Sequence, residues 1–599
     1  MKRRSVIAIA GFLAACLLVP GWGTALAEKA PPPLAKPVIG VILPFSPAFA
    51  TIAREQKNAI DLAVAEAGAP VDIIFKDGGG DGPTSTAAFN ELFGGGKTPL
   101  AVITCSSWAS GAVHPLAAEK GVFHIAIASA AMSRTHPRHS VRFTLDAAQE
   151  ARQLREYLTR FQRIAVFHMD NDYGTNWAKI LKQDLGGRMV ISLPYDPENK
   201  DFRPALARIG EEKPDALVLL SAGTAAEIAR QARETGIDAQ LVGTRPIERR
   251  ELLDKSAFTN GLVYTYPSHS FTHPVIQGYQ AAYGAPPTIF GLEAYDAVTT
   301  LLAALGEGPT SPEALFSWYA KRVYQGALGE VTFDEQGDAV YPYLYKQIIN
   351  GRFQIADFQY PLLLEKTRQE ILQIFHKMDQ DVALAAAELS AAGLTGKEAD
   401  AILQRLCEKN EHAYDCVSVD ARGTIVNVAP VDYAAVIGSS IAGQEQMIRL
   451  HATRRPVFSQ AIETVEGFVG FDLQHPVLDP KRQFIGSVSI LTHPTFFDRI
   501  VSGKVANFPV EIFLMQKDGR MVYDLNKEEI GRNVFTDPLF TPYPALLKVA
   551  KKMAESPRGS GRYDFLDKKL EKKVAKKLIW DTLVLHGTEF RLALAYLEG

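Results

Sequence analysis

The sequence predicts an α/β fold over residues 38–353 and an α+β fold beyond them, and three observations carry this. From 38 to 353, short apolar runs alternate with amphipathic helical stretches. From 362 to 406 the pattern is helical and rich in Ala and Leu. After that come two similar rounds of alternating strands, each opened by an Asp/Gly turn. At 599 residues the chain exceeds what one core can hold, and 47% hydrophobic with 22% charged residues is ordinary globular composition.

The first element is a leader. Lys2, Arg3 and Arg4 precede an apolar stretch at 6–19, and Ala25-Leu26-Ala27 offers a small-residue cleavage site, so residues 1–27 read as a signal peptide. Leu13-Ala14-Ala15-Cys16 also resembles a lipobox, in which Cys16 would carry a lipid. The apolar run continues through Leu17, Leu18 and Val19, which favours ordinary cleavage. Losing the leader takes the net charge from −3 to −6, and nothing in that balance suggests a nucleic-acid or anionic-membrane partner. No later stretch reaches the ~20 apolar residues of a membrane span. Of the remaining cysteines, Cys407 and Cys416 can pair or stay as buried thiols, and Cys105 reads as a small core residue.

Strand-like runs follow at 38–43, 71–76, 100–104, 122–127, 163–168, 216–220 and 262–266, with helical stretches such as 52–67 and 225–235 between them. That alternation signals βαβ units in a doubly wound sheet. The length favours two lobes with a cleft between them. Two strand ends break into small or hydroxyl residues: Thr104-Cys105-Ser106-Ser107 and Ile127-Ala128-Ser129. In an open α/β sheet, ligands sit beyond such ends. Ser106 and Ser107 precede a helical stretch, whose free N–H groups and positive dipole end suit a carboxylate. The same residues also serve simply to cap and pack a turn.

This stretch resembles the type I periplasmic solute-binding proteins, specifically the leucine/isoleucine/valine-binding family. The matching residues run in the family's order: Ile39-Gly40-Val41-Ile42-Leu43-Pro44, Cys105-Ser106-Ser107, Asp172-Tyr173-Gly174, Ala294-Tyr295-Asp296-Ala297 and the stretch 329–337. The resemblance implies a bilobal domain over 28–358 that closes on a small carboxylate-bearing solute, amino-acid-like or an organic acid. It places the carboxylate on Ser106, Ser107, Ala128 and Ser129, an aromatic contact on Phe49, and Tyr173 and Phe290 on the walls. Amino-acid binders of the family set an acidic residue after a second-lobe strand to meet the ligand's ammonium. Here Arg245 falls at or near that place, which reverses the local charge and implies a ligand anionic or strongly polar at both ends, or an aromatic acid stacked on the guanidinium. A slip of a few residues would instead leave Arg245 solvated.

The second half reads as a helical connector at 359–410 and two strand modules at 411–503 and 504–599. A long helix followed by two such rounds resembles the double Cache (PAS-like) sensor, with Pro456-Val457-Phe458-Ser459 and the stretch 467–476 in support. Arg454 and Arg455 lack the Trp-Tyr pair of amino-acid-binding Cache domains, and Phe471 and Asp472 are candidates for a pocket there. Catalytic patterns fail. The Gly96-Lys97-Thr98 run has Glu91 where a phosphate loop needs Gly, and Pro83 breaks the dinucleotide fingerprint at 78–83. His124, His136 and His139 read as solvated loop residues, and the lysines at 568, 569, 572, 573, 576 and 577 as a solvated face. The expectation is a non-enzymatic periplasmic receptor without cofactor or metal. Its partners would be a small-molecule ligand and an ABC permease, or alternatively a membrane sensor protein.

Overall fold

The computed structural model describes residues 36–598 apart from 47–48, 95, 97, 129–137, 145–146, 171, 197, 222, 272, 507 and 568–571. The expected leader with Cys16, as well as Ser129 and His136, lies outside the described residues.

The first lobe is built on β1 (Val38–Leu43), β2 (Asp72–Asp77), β3 (Ala101–Thr104), β4 (Phe123–Ala126) and β5 (Ser140–Arg142), all parallel in the order β2-β1-β3-β4-β5. β1, β3 and β4 are buried along their whole length, which is why they read as unbroken apolar runs. The order reverses across β1, so the ends of β1 and β3 flank the crevice where an open sheet receives ligands. The second lobe has β6 (Ile164–Met169), β7 (Met189–Tyr195), β8 (Ala216–Leu220), β9 (Gln240–Gly243) and β10 (Val263–Pro267) in parallel. A small antiparallel sheet of β11 (Tyr324–Gly326), β12 (Gly329–Phe333) and β13 (Ala339–Val340) follows. Then β14 (Tyr343–Ile349) and β15 (Arg352–Ile355) extend the second-lobe sheet in antiparallel fashion beside β10.

The expected two lobes are therefore present, and the chain crosses between them three times: after β5, after β10 and before β14. Arg142 and Asp338 tie two of these crossings by a two-pronged, buried ion pair, Nε to Oδ1 at 2.9 Å and Nη2 to Oδ2 at 2.5 Å. The Tyr341 hydroxyl lies 3.1 Å from the Phe143 carbonyl oxygen across the same crossings. The helix Ile289–Gly306 is apolar enough to span a membrane, yet it is a core helix packed on the helix Ala50–Ala67. Its fully buried Asp296 accepts the backbone N–H groups of Ala327 and Leu328 at 2.9 and 2.8 Å, which fixes the start of β12.

The helix Gln359–Ala392 carries the chain into the second half over 34 residues. The first module pairs β16 (Asp415–Asp420), β17 (Ile425–Ala429), β18 (Val457–Phe458), β19 (Ile462–Glu463), β20 (Val469–Leu478) and β21 (Phe484–Thr492), with main order β17-β16-β21-β20-β18. The second holds β22 (Val510–Gln516), β23 (Met521–Tyr523), β24 (Gly559–Asp567), β25 (Lys572–Leu585) and β26 (Thr588–Leu597), in the order β23-β22-β26-β25-β24. Opening hairpin, helix, outer strands and closing central strand occupy the same places in both, as an internal duplication requires. Cys407 and Cys416 form a disulfide, joining the helix Lys397–Lys409 to β16. The long helix packs on both modules. Its Asp379 accepts from His475 Nε2 on β20 at 2.7 Å and from His586 Nε2 beside β26 at 2.5 Å. Burial raises the Asp379 carboxyl, and the two histidine bonds outweigh burial and hold it below its usual range.

Candidate functional site

β3 ends at Thr104, and the chain turns through Cys105 into the helix Ser107–Glu119 with Ser106 as its N-cap. Ser106 is extended at φ −160°, and its Oγ accepts the Ala109 N–H at 3.4 Å. It is buried, as is Ala128 beyond β4, and the register Thr104↔Ala126 places the two strand ends side by side. Ser107 is half-buried in the first turn. Phe49, at the start of the helix Ala50–Ala67, packs at a tilt against Trp108 with ring centroids 4.9 Å apart. Sequence reasoning placed His124 in solvent, but it is fully buried on β4, with Nε2 2.8 Å from Thr104 Oγ1. A parallel strand covered on both faces leaves a polar side chain no water, so it must bond inside. His139 is partly exposed, 3.1 Å from Glu313.

The second lobe presents Tyr173 and Arg245. Tyr173 lies in the first turn of the helix Asp172–Leu185, and its hydroxyl is 2.7 Å from Thr244 Oγ1, the residue after β9. Arg245 follows at 6% exposure, so it is not solvated. Its Nη1 stands 3.3 Å from Glu293 Oε1, and its N–H donates to Glu150 Oε1 at 3.3 Å. Glu293 belongs to the first-lobe helix Ile289–Gly306, so this ion pair crosses from one lobe to the other. Glu293 also accepts from the Tyr341 and Thr144 hydroxyls at 2.9 and 3.1 Å, and Glu150 from Thr265 at 2.6 Å. Burial pushes both carboxyls up and the Arg245 charge opposes it. Burial works against the guanidinium too, but the two carboxylates more than reverse this. The same burial raises the Cys105 thiol, with the Glu293 charge adding to it, which places the β3 end beside the cluster.

Arg245 is therefore not the lone positive charge that sequence reasoning set against a ligand. Two acidic groups answer one guanidinium, and neither was singled out beforehand. A signal existed for Glu293: it stands three residues beyond the half-buried Phe290 on one helix, a spacing that shares a face. Tyr343 was missed as well. Its hydroxyl is buried with no hydrogen-bond partner, and it sits within the field of Glu150 and Arg245. A buried donor left unmet is costly, and an acceptor brought beside it would relieve that cost.

In the second half, Phe471 is a core residue packed on Phe458, Phe497 and Phe590. Asp472 lines a cavity of about 30 Å³ with Asp415, Glu466 and Ser489. Both Asp415 oxygens and Asp472 Oδ2 lack a hydrogen-bond partner. Burial, with Glu466 and Asp472 adding, pushes Asp415 up to about 8, and burial against the pull of Ser489 and Gln446 pushes Asp472 up to about 7. The folded chain thus holds protons that the unfolded chain has released above about pH 4. Stability should fall as pH rises from 4 to 8. Calorimetry of the full chain is expected to show the first module's transition moving down over that range, with Asp415→Asn flattening the slope; an unchanged slope would place these carboxyls in water.

The chain matches the family model described as periplasmic binding protein over residues 37–351. Over residues 373–494 it matches the model described as HK/GC/chemotaxis protein-like sensor domain. Among solved structures it is similar to an extracellular ligand binding receptor from Desulfohalobium retbaense DSM5692, at 52% identity over 94% of this chain and 100% of that one, with a TM-score of 0.54. The substrate binding protein LivJ from Streptococcus pneumoniae, in complex with isoleucine, is 20% identical over 54% of this chain and 99% of that one, at TM-score 0.48. A solute binding protein of an ABC transporter from Rhodopseudomonas palustris BisB5, in complex with 3,4-dihydroxy benzoic acid, is 20% identical over 53% and 95%, at TM-score 0.47. No curated protein sequence matches the chain.

Proposed function

Since the chain belongs to the periplasmic binding protein family, we propose that it is an extracytoplasmic receptor whose lobes close on a small carboxylate-bearing, amino-acid-like solute. The observation that carries this reading is the Glu150–Arg245–Glu293 cluster between the lobes, with the unmet Tyr343 hydroxyl beside it. In this reading the carboxylate rests on Ser106, Ser107 and Ala128 at the β3 and β4 ends, and on Ser129, the next residue in sequence. Phe49 and Phe290 wall the solute, and Tyr173 and Arg245 close over it from the second lobe. Arg245 already has two carboxylate neighbours, so an ammonium meets a net negative cluster rather than a bare guanidinium. This revises the charge expected from Arg245 alone and readmits the zwitterion that the sequence argument set aside.

Calorimetric titration of the full chain with leucine, glutamate, succinate and benzoate tests it. An amino acid should bind, and Ser106→Val should weaken that binding at least tenfold. Binding of succinate or benzoate with no amino acid would overturn the ammonium assignment. Full binding by the valine variant would overturn the place given to the carboxylate.

Two outputs fit such a receptor. Family membership supports delivery to an ABC permease, whereas the sensor-domain match over 373–494 supports signalling through a membrane partner. The second is the reading we adopt, because a carrier that only delivers solute has no use for two further modules. A lipid on Cys16 would keep such a receptor beside its partner.

A further inference from the structure

We propose that Asp379, His475 and His586 form a binding site for a divalent transition-metal ion, zinc above all, at the seam between the long helix and the two C-terminal modules. Each residue comes from a different element. Asp379 lies on the helix Gln359–Ala392, His475 on β20, and His586 in the turn between β25 and β26. Their donor atoms, one carboxylate oxygen and two imidazole nitrogens, all lie within 4.8 Å of one another. Chain separations of 96 and 207 residues from Asp379 hid the trio from sequence reading, which expected no metal.

The donor set chooses the class of ion. Two imidazoles and a carboxylate suit zinc, nickel, copper or cobalt, whereas calcium and magnesium take oxygen ligands. Zinc stands about 2.0–2.2 Å from such donors, which sets them about 3.4 Å apart in a tetrahedron. Both rings turn Nε2 to the same oxygen of Asp379, at 2.7 and 2.5 Å, so the side chains need open by only about 1 Å. A neutral ring then moves its Nε2 proton to Nδ1, and a protonated ring releases one. His475 is buried, but Asp379 and His586 are half-buried, which gives the ion and its completing water a way in.

The turn that carries His586 points the same way. His586 at φ +47° and Gly587 at +80° form a two-residue turn between the paired Leu585 and Thr588, a place where Asn-Gly is the ordinary choice. Arg449 fixes this turn through its backbone and through Thr588. Its Nη2 donates to the His586 carbonyl and its Nη1 to Thr588 Oγ1, each at 2.9 Å, with Glu445 3.3 Å away as its counter-ion. The imidazole is left to face Asp379. A bound ion would fasten the helix that leaves the binding half to both modules at once.

The test is calorimetric titration of the full chain, stripped with EDTA, with zinc, nickel, calcium and magnesium chlorides. Zinc should bind at one equivalent per chain, at least tenfold tighter than calcium or magnesium, and raise the melting temperature. His586→Asn is the decisive variant, because asparagine suits the turn. It should weaken zinc binding at least tenfold while keeping the cooperative melting of the metal-free wild type. Asp379→Asn and His475→Gln should weaken zinc binding as much. The proposal is overturned if zinc does not bind, if calcium or magnesium binds as tightly, or if any of the three variants binds zinc like the wild type.

Discussion

Arg245→Ala is expected to lower the stability of the binding half by about 3–5 kcal/mol, the range for removing one partner of a buried pair. The ion pair with Glu293 is almost wholly withdrawn from water, with side-chain exposures of 6% and 1%. Truncation would leave Glu293 and Glu150 buried without a counter-ion, both already raised by burial. They would respond by taking up protons. The folded variant would then hold protons that the unfolded one lacks, so its deficit should be larger at pH 8 than at pH 5. Arg245→Met combined with Glu293→Met should recover much of the loss, because two apolar groups of similar volume leave less charge stranded. Urea denaturation followed by tryptophan fluorescence reads this, since Trp108, Trp177 and Trp318 lie in the binding half against Trp580 in the other. A loss under about 1 kcal/mol would mean that water reaches the pair.

The same cluster shows where sequence reading stops. β1, β3, β4, β6 and β8 were legible because strands covered on both faces leave unbroken apolar runs. β5 has three residues and β7 is an edge strand of mixed burial, so neither leaves a pattern that rises above its surroundings. The duplicated modules were legible through their turns, where Gly423 and Gly519 adopt φ of +84° and +93°. Ser106 was legible because a cap is a local device. Arg245 was found, but its partners lie 48 and 95 residues away, so its charge was read without them. Lys576 was misread for a different reason. In a strand, successive side chains point to opposite faces, so Lys576 and Lys577 cannot share one, and Lys576 is the one that turns inward. The cavity it lines lies between the helix Pro544–Glu555 and the sheet, and such a space leaves no trace along the chain.

Gly174→Ala is the other variant expected to have a large effect, and it joins the resemblance at Asp172-Tyr173-Gly174 to a physical cause. A Cβ on Gly174 would collide with the Met169 carbonyl oxygen and lie 2.9 Å from the Met169 nitrogen. Both are backbone atoms at the end of β6, and a carbonyl there cannot swing aside as a side chain would. The helix Asp172–Leu185 would have to withdraw from the strand end, at a cost of about 3 kcal/mol or more. That withdrawal carries Tyr173 away from Thr244, so solute binding should fall further than stability alone accounts for. Two companions separate the causes. Tyr173→Phe removes the hydroxyl contact without moving the helix and should cost about 1 kcal/mol. Gly111→Ala, in an open helical position with nothing within 4 Å, should be neutral or stabilising by roughly 0.5–1 kcal/mol. Thermal unfolding and solute titration of the three variants read the comparison. If Gly174→Ala behaves like Gly111→Ala, the turn relaxes freely, and close approach of helix to strand is not what positions Tyr173.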